Sequence, residues 1–181
     1  PHTGNQKGFF ENIHIRRKLQ RPYFAQIGFE PTGRMELPGA SDIVIDPTWR
    51  EKFEALAPGV TTYKEPKILL YWEVWDHAFP SAKWVLVRRP REEILESVMR
   101  RTPWMANAGL SEAQWNHWID HHLKRMDEIK AFDLDYMEVD SSRIVNEDFS
   151  KIRDCVKWLG LTWKPREAQE WVERRLTYIA K

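Results

Sequence analysis

Residues 84–91 read Trp-Val-Leu-Val-Arg-Arg-Pro-Arg, and this stretch decides the fold class. Its first half is a nearly continuous apolar run, which is typical of a strand buried on both faces in a parallel sheet. Two arginines follow at the carboxyl end of this strand, and residues 92–101 then show a helical pattern. In open α/β sheets, ligands bind at the carboxyl ends of strands, near helix N-termini that favour anions. This strand end is therefore a candidate anion site.

A second strand is predicted upstream, at residues 60–64, where Val-Thr-Thr-Tyr-Lys is β-branched and aromatic. Pro66 suits the first position of a helix, and Trp72 and Trp75 recur at helical spacing after it. Strand, helix and strand with short connections form a βαβ unit. We therefore expect residues 60–64 and 84–88 to be adjacent or nearly adjacent parallel strands.

The rest of the chain predicts an α/β domain with a short parallel sheet. Residues 1–60 are rich in glycine and proline and form an irregular region, whereas the pattern is regular over residues 60–181. A capping box begins a long helix at Ser111, and Gly160 ends a later one. The further helices are expected at residues 13–19, 49–56, 149–159 and after Pro165, and the further strands at residues 42–46 and 134–139.

Composition excludes several classes of protein. The 181 residues carry 28 Lys and Arg against 27 Asp and Glu, so a net charge of +1 argues against a binder of nucleic acid or acidic membranes. The single cysteine, Cys155, excludes a disulfide scaffold and a cysteine-rich zinc site. No apolar run approaches a membrane span, and no secretory signal is seen, so a cytoplasmic location is expected.

The side chains at the end of the 84–87 strand have the chemistry of phosphate ligands. Guanidinium groups such as those of Arg88 and Arg89 bind phosphate in bidentate fashion, and Ser97 can add a hydroxyl donor. The alternative is a solvated face on which these arginines pair with nearby glutamates. Those glutamates are Glu92, Glu93 and Glu96. The motif alone leaves both interpretations open.

Four motifs in a fixed order carry a family resemblance. Residues 5–12 read Asn-Gln-Lys-Gly-Phe-Phe-Glu-Asn, residues 64–67 read Lys-Glu-Pro-Lys, residues 79–91 begin Phe-Pro-Ser-Ala-Lys, and residues 158–161 read Trp-Leu-Gly-Leu. Together they resemble sulfotransferases that use 3′-phosphoadenosine-5′-phosphosulfate, which show Pro-Lys-Gly-Phe-Glu, Lys-Asp-Pro-Arg, Phe-Pro-Asp-Ala-Lys with Val-Arg-Asp-Pro-Arg, and Phe-Leu-Gly-Leu. The resemblance spans most of the chain, and the order and spacing of the motifs are its specific part.

The resemblance implies a P-loop-type three-layer fold and a sulfotransferase activity. The co-substrate would be 3′-phosphoadenosine-5′-phosphosulfate, and no metal would take part. The acceptor would be a hydroxyl or amine of a small molecule or carbohydrate. Residues 1–60 would form the region that binds the acceptor. In the family, an arginine and a serine eight residues later hold the 3′-phosphate. Arg89 has this spacing to Ser97, whereas Arg88 matches the Arg-X-Pro pattern, so Arg89 is the expected ligand and Arg88 the alternative.

Two further residues are candidates for the transfer itself. Lys64 matches the family lysine that neutralises charge on the bridging oxygen of the donor, but no histidine follows it here. Carbohydrate-type relatives use a glutamate as the base, and Glu11 lies in the segment that resembles their glutamate region. A carboxylate can serve as a general base. The alternative is that Glu11 forms a cap or an ion pair with Arg16 or Lys18.

One family feature is missing from these residues. No glycine-rich loop with Ser or Thr is present to hold the phosphosulfate, and no Walker motif is found. The expectation is that the chain as printed lacks the first strand, loop and helix of the domain. The sheet should then show a gap or borrow a strand, and the isolated chain should bind the donor weakly.

Three other interpretations compete with the first one. A nucleotide-kinase-like phosphotransferase would need a Walker lysine and a magnesium-binding aspartate, and neither is recognisable. A non-catalytic binding module would use a tryptophan-rich surface. His117 and His121 are spaced to ligate one metal ion. We expect instead that these two histidines and His122 are exposed on a solvated helix. The acceptor and the oligomeric state do not follow from the sequence.

Overall fold

The computed structural model describes residues 11–100 and 109–172, without the side chain of Arg100. The chain divides into two compact units. Unit 1 takes residues up to Ala82 together with Asp120–Ala131, and unit 2 takes Lys83–Ile119 and the residues from Phe132 onward.

The described elements are mostly helical. In chain order they are α1, made of Ile13–Ile15, a π-helical segment Arg16–Gln20 and Arg21–Gln26; α2 (Trp49–Leu56); α3 (Trp72–Ala78); β1 (Trp84–Arg88); α4 (Arg91–Arg100); α5 (Glu112–Ala131); β2 (Tyr136–Asp140); α6 (Ser141–Val145); α7 (Ser150–Trp158); and α8 (Pro165–Trp171). Short 3-10 helices cover Ala40–Asp42 and Pro66–Tyr71. The first helix is therefore longer than the predicted residues 13–19.

Local signals explain where several of these helices begin and end. The Asn12 side chain caps α1 by accepting from the backbone N–H groups of His14, at 2.9 Å, and Ile15, at 3.3 Å. The predicted capping box is confirmed at the start of α5, where Ser111 N–H donates to the Gln114 side chain at 2.8 Å and Ser111 Oγ accepts from Gln114 N–H at 3.3 Å. Gly160 follows α7 with φ +75°, as expected of a glycine stop.

The sheet of the described residues has two parallel strands. β1 pairs with β2 from Trp84 opposite Tyr136 to Arg88 opposite Asp140, so both carboxyl ends lie side by side. The predicted strands at residues 84–87 and 134–139 are thus confirmed, and the α/β class with a short parallel sheet holds. The parallel connection runs through α4 and α5 rather than through the helix that contains Trp72.

The prediction that residues 60–64 form a strand beside residues 84–88 is wrong. These residues are not paired in a sheet, because their side chains serve other contacts. The Tyr63 ring stacks on Trp75 at 5.1 Å between centroids and lies 5.8 Å from Phe53. Glu65 directly after them caps the 3-10 helix Pro66–Tyr71. A β-branched and aromatic run therefore joins the core of unit 1 instead of a ladder.

Two smaller expectations also fail. Residues 42–46 form no strand: they follow the 3-10 helix Ala40–Asp42, and the carbonyl of Val44 accepts a hydrogen bond from the Tyr23 hydroxyl at 3.1 Å. The β1 strand is not buried on both faces, because Val85 and Val87 are 37% and 57% exposed while Leu86 is buried. Since alternate residues of a strand face opposite sides, the two valines share the exposed face. The expectation that the first strand and the donor loop are missing stays a prediction.

An aromatic cluster forms the core of unit 1. Neighbouring rings in it lie 5.1–6.3 Å apart between centroids, mostly tilted or edge to face. Such geometry matches the preference of aromatic quadrupoles. Its members are Tyr23, Phe24, Trp49, Phe53, Tyr63, Tyr71, Trp75 and Phe79. The cluster ties α1, α2 and α3 to the extended residues 60–65, and so positions Lys64.

Candidate functional site

The predicted catalytic residues of unit 1 lie in one ionic chain. Lys64 Nζ donates to Glu11 Oε1 at 3.1 Å, although the two residues are 53 positions apart. Arg16 Nη1 donates to Glu11 Oε2 at 2.9 Å, and Arg16 Nε lies 3.3 Å from Glu65 Oε2. We call these four residues the Glu11 cluster. The contact between Lys64 and Glu11 was not among the pairs that the sequence suggested for Glu11.

Each oxygen of Glu11 therefore meets a different cation. The ion pair of Glu11 with Arg16, which the sequence left open as an alternative, is present together with the contact to Lys64. The Lys64 side chain is 56% exposed, whereas that of Glu11 is only 12% exposed. Ion pairs with one solvated partner are weak, so the lysine can leave the carboxylate when another anion approaches. The arrangement can thus offer a cation and a proton acceptor side by side.

Glu65 is a member of this cluster that sequence reasoning missed. Its side chain is 2% exposed, and burial, together with the negative charge of Glu11, raises its pKa, while Arg16 opposes the shift. The carboxylate also accepts from the Lys67 backbone N–H at 3.4 Å at the start of the 3-10 helix. A glutamate directly before a proline at a helix start is the signal that predicts such a cap. Glu65 thereby anchors Arg16 from the buried side.

Lys67 is a partly buried amine beside the cluster. Its ammonium donates to the backbone carbonyl of Thr32. The turn that supplies this carbonyl is closed by Glu30, which accepts from the backbone N–H groups of Thr32, at 2.7 Å, and Arg34, at 2.9 Å. Gly33 adopts φ +61°, and a Cβ there would lie 3.2 Å from Lys67 Cδ. Burial lowers the pKa of Lys67 to about 8, against the opposing charge of Glu65.

This shift predicts a pH dependence of stability. Because the folded pKa of Lys67 lies below its unfolded value, the unfolded chain binds more protons above pH 8, so stability rises with pH there. Between pH 7.5 and 9.5 the wild type should gain roughly 1–2 kcal/mol relative to Lys67→Met. Urea unfolding across this range measures the difference. Lys18→Met, which replaces an exposed lysine, should retain the rise, and a Lys67→Met curve parallel to the wild type would contradict the assignment.

In unit 2, the predicted phosphate ligands lie at the carboxyl end of β1. Arg88 Nε is 3.3 Å from Glu138 Oε1 on the neighbouring strand, and Arg89 Nε donates to Glu93 Oε2 at 3.0 Å. The pairing of an arginine with a nearby glutamate, which the sequence left open, is therefore present for Arg89. The partner of Arg88 was missed, because it depends on the pairing of β1 with β2.

Ser97 lies on the α4 face that also contains Glu93, one helical turn further along. Its side chain is buried, at 6% exposure for the residue, and Glu93 lies between it and Arg89 in the sequence at intervals of four. Residues at this spacing share one helix face. That Arg89 and Ser97 bind one anion stays a prediction. In the structure, Arg89 contacts the carboxylate of Glu93, which precedes Ser97 by one helical turn.

The end of β2 contributes groups that the sequence did not single out. Ser141 Oγ donates to the Arg88 carbonyl at 3.2 Å, and the Asp140 side chain caps α6 by accepting from Ser142 N–H at 2.8 Å. Ser142 Oγ lies 3.5 Å from both carboxylate oxygens of Glu93. We call Arg89, Glu93 and Ser142 the strand-end cluster.

The histidines that the sequence suggested as metal ligands, His117, His121 and His122, all lie in α5. No group of three or more His, Cys, Asp or Glu side chains there is arranged to hold an ion. His121 Nε2 lies 2.9 Å from the Pro38 carbonyl, and His122 is 6% exposed, so the expectation of an exposed residue is wrong for His122. Cys155 is a buried free thiol, as the apolar pattern around it predicted.

Comparisons with protein-family models, with curated proteins and with solved structures found no match to this chain. Of the family-like motifs, the first lies largely outside the described residues, which include only its Glu11 and Asn12. No helix within residues 11–100 and 109–172 is both long enough and apolar enough to cross a membrane.

Proposed function

We propose that this chain belongs to a sulfotransferase of P-loop-type three-layer fold that uses 3′-phosphoadenosine-5′-phosphosulfate. One observation supports the proposal most: Lys64 and Glu11, chosen from motifs far apart in the sequence, lie 3.1 Å from each other. A cation and a carboxylate in contact are the two groups that sulfuryl transfer to a hydroxyl or amine requires. A reducing, cytoplasm-like compartment fits the single buried thiol.

The proposed roles follow from the geometry of the Glu11 cluster. The sulfuryl group leaves a phosphate oxygen of the donor, and the acceptor oxygen or nitrogen forms the new bond to sulfur. Glu11 takes the proton of the acceptor, and the Lys64 ammonium neutralises the charge left on the phosphate oxygen. Arg16 keeps Glu11 oriented from the side opposite Lys64. Lys64 is more exposed than Glu11 and is therefore the group that an arriving anion reaches first.

The nucleotide would be held in unit 2. Arg89 is proposed as the 3′-phosphate ligand together with Ser97, and Arg88 is the alternative. The position of Arg89 just after a parallel strand supports this role, since strand ends of this kind bind anionic ligands. Four of the tryptophans that the structure describes are buried, which favours a role in the core over a tryptophan-rich binding surface. These are Trp49, Trp72, Trp75 and Trp115.

Nucleotide binding tests the proposal. Titration calorimetry should show weak binding of 3′-phosphoadenosine-5′-phosphate and still weaker binding of adenosine-5′-phosphate, because only the first carries the 3′-phosphate. Arg89→Gln should abolish this preference, whereas Arg50→Gln, which breaks an exposed pair with Glu54, should retain it. Equal affinity for the two nucleotides in the wild type would contradict the assignment.

Sulfuryl transfer itself provides a second test of the proposal. Glu11→Gln and Lys64→Met should each lower turnover roughly 10²-fold, because each removes one of the two charges that the step needs. The control is Lys52→Met, which removes an exposed lysine that pairs with Asp46. Turnover within twofold of the wild type in both cluster variants would show that these residues do not carry the reaction.

A further inference from the structure

The strand-end cluster contains two hydrogen-bond donors that converge on one carboxylate. Arg89 follows β1, and Ser142 lies in α6 directly after β2, so the donors come from the two neighbouring strand ends. Arg89 Nε reaches Glu93 Oε2 at 3.0 Å, and Ser142 Oγ lies 3.5 Å from each Glu93 oxygen. The Glu93 carboxylate, an anion supplied by the protein itself, therefore already lies between these two donors.

We propose that Arg89 and Ser142 form a binding site for a phosphomonoester dianion, in which the Glu93 carboxylate is a displaceable stand-in for the phosphate. This inference deepens the proposed function and rests on it for the identity of the nucleotide. The binding of inorganic phosphate does not depend on the proposed function, because it requires only Arg89, Ser142 and the departure of Glu93. It assigns a role to Ser142, which no motif indicated, and a regulatory role to Glu93.

Glu93 is held loosely enough to be displaced. The Arg89 and Glu93 side chains are 27% and 26% exposed, and pairs of this kind on a helix are weak. The contacts from Ser142 are long for O–H···O hydrogen bonds. Within the described part of the chain, Nε is the nitrogen of Arg89 that meets an acceptor, so the Nη groups of its five-donor fork remain for a ligand.

Phosphate suits these donors better than the carboxylate does. A phosphomonoester offers three oxygens and up to two charges, so that the guanidinium can bind two oxygens while the serine hydroxyl donates to the third. Glu93, confined to its helix, meets only one guanidinium nitrogen. A mobile dianion can adopt the geometry that the helical side chain does not reach.

The charge around the strand ends explains why Glu93 must move. Arg88 contacts Glu138, Arg89 contacts Glu93, and Asp140 lies opposite Arg88 in the strand register. Glu138 is engaged by Arg88, and Asp140 by the start of α6. Glu93 is therefore the carboxylate whose departure exposes Arg89, and its negative charge opposes any incoming phosphate. Removal of this charge should strengthen anion binding.

The test compares two substitutions on the same helix. Glu93→Gln keeps an acceptor for Arg89 but removes the charge, and it should tighten the binding of inorganic phosphate about fivefold or more. Glu92→Gln makes the same change of net charge at an exposed neighbouring position, and it should alter the affinity less than about twofold. Phosphorus NMR titration at low ionic strength measures both affinities, and circular dichroism checks that the helix content of each variant matches that of the wild type.

A second pair of variants identifies the donors. In the Glu93→Gln background, Ser142→Ala should weaken phosphate binding about fivefold, and Arg89→Gln should abolish it. A Glu93→Gln protein that binds phosphate no better than Glu92→Gln would overturn the inference. So would retention of full phosphate affinity when Ser142 or Arg89 is replaced.

The same titrations separate this inference from the proposed function. If Glu93→Gln gains affinity for inorganic phosphate but 3′-phosphoadenosine-5′-phosphate binds no better than adenosine-5′-phosphate, the phosphate site stands and the sulfotransferase proposal fails. If the wild type prefers 3′-phosphoadenosine-5′-phosphate and Glu93→Gln leaves that affinity unchanged, the sulfotransferase proposal stands and the role of Glu93 is overturned.

Discussion

Replacement of Arg125 by methionine is expected to lower the free energy of unfolding by about 3–5 kcal/mol, because it leaves partly buried carboxylates and backbone carbonyls without their cation. Arg125 is fully buried in unit 1. Its Nη2 contacts both oxygens of Glu73, at 2.6 and 2.5 Å, and its Nε donates to the Leu69 carbonyl at 3.1 Å. Nη1 reaches Glu128, and the guanidinium lies 5.8 Å from the ring centroid of Trp72.

The methionine keeps most of the side-chain volume, so a large loss would arise from the charge and the hydrogen bonds rather than from a cavity. Urea unfolding measures the change. Arg50→Met is the matched control, because Arg50 pairs with Glu54 on an exposed helix face, and its loss should cost less than about 1 kcal/mol. A double variant, Arg125→Met with Glu73→Leu, should recover part of the stability, since the stranded carboxylate is removed. An Arg125→Met protein as stable as Arg50→Met would show that the cation is not needed there.

The second large effect is expected for Trp75→Ala, which should lower the free energy of unfolding by about 3–5 kcal/mol through the cavity that it leaves. Trp75 is 6% exposed and sits at the centre of the aromatic cluster. Its ring lies 5.5 Å from Trp49, 5.2 Å from Phe53 and 5.1 Å from Tyr63, between centroids. Removal of the indole takes away contacts with α2 and with the segment that contains Tyr63 at once.

Near-ultraviolet circular dichroism should lose much of its aromatic signal in the Trp75→Ala protein while the far-ultraviolet signal of the helices is retained. Trp171→Ala removes the same side chain at a position that is 54% exposed, and it should cost less than about 1 kcal/mol. A loss below 1 kcal/mol for Trp75→Ala in urea melts would mean that α3 does not belong to the core.

Loss of the Trp75 ring is also expected to displace Tyr63. Tyr63 stacks on Trp75 and directly precedes Lys64, so the aromatic cluster holds the extended segment that carries the lysine. The contact between Lys64 and Glu11 therefore depends on packing as well as on charge. The position of a candidate catalytic residue is set here by rings that take no part in the chemistry.

Much of the local structure was predictable from the sequence. The strands at residues 84–88 and 136–140, the capping box at Ser111 and the stop at Gly160 were all indicated by neighbouring residues. These features depend on periodicity, on side chains that cap the adjacent backbone, and on the freedom of glycine to adopt positive φ. Interactions within a few residues decide them, so a single sequence contains the necessary information.

Which distant residues each of these elements packs against or pairs with was decided only by the tertiary structure. The pattern of residues 60–64 is that of a strand, but these residues are not in the sheet and the ring of Tyr63 packs in the aromatic cluster. Arg88 meets Glu138 because β1 pairs with β2, and Arg125 meets Glu73 because part of α5 belongs to unit 1. A hydrophobic period shows which face of an element is buried and leaves open what covers it, because that choice depends on packing against residues distant in the sequence.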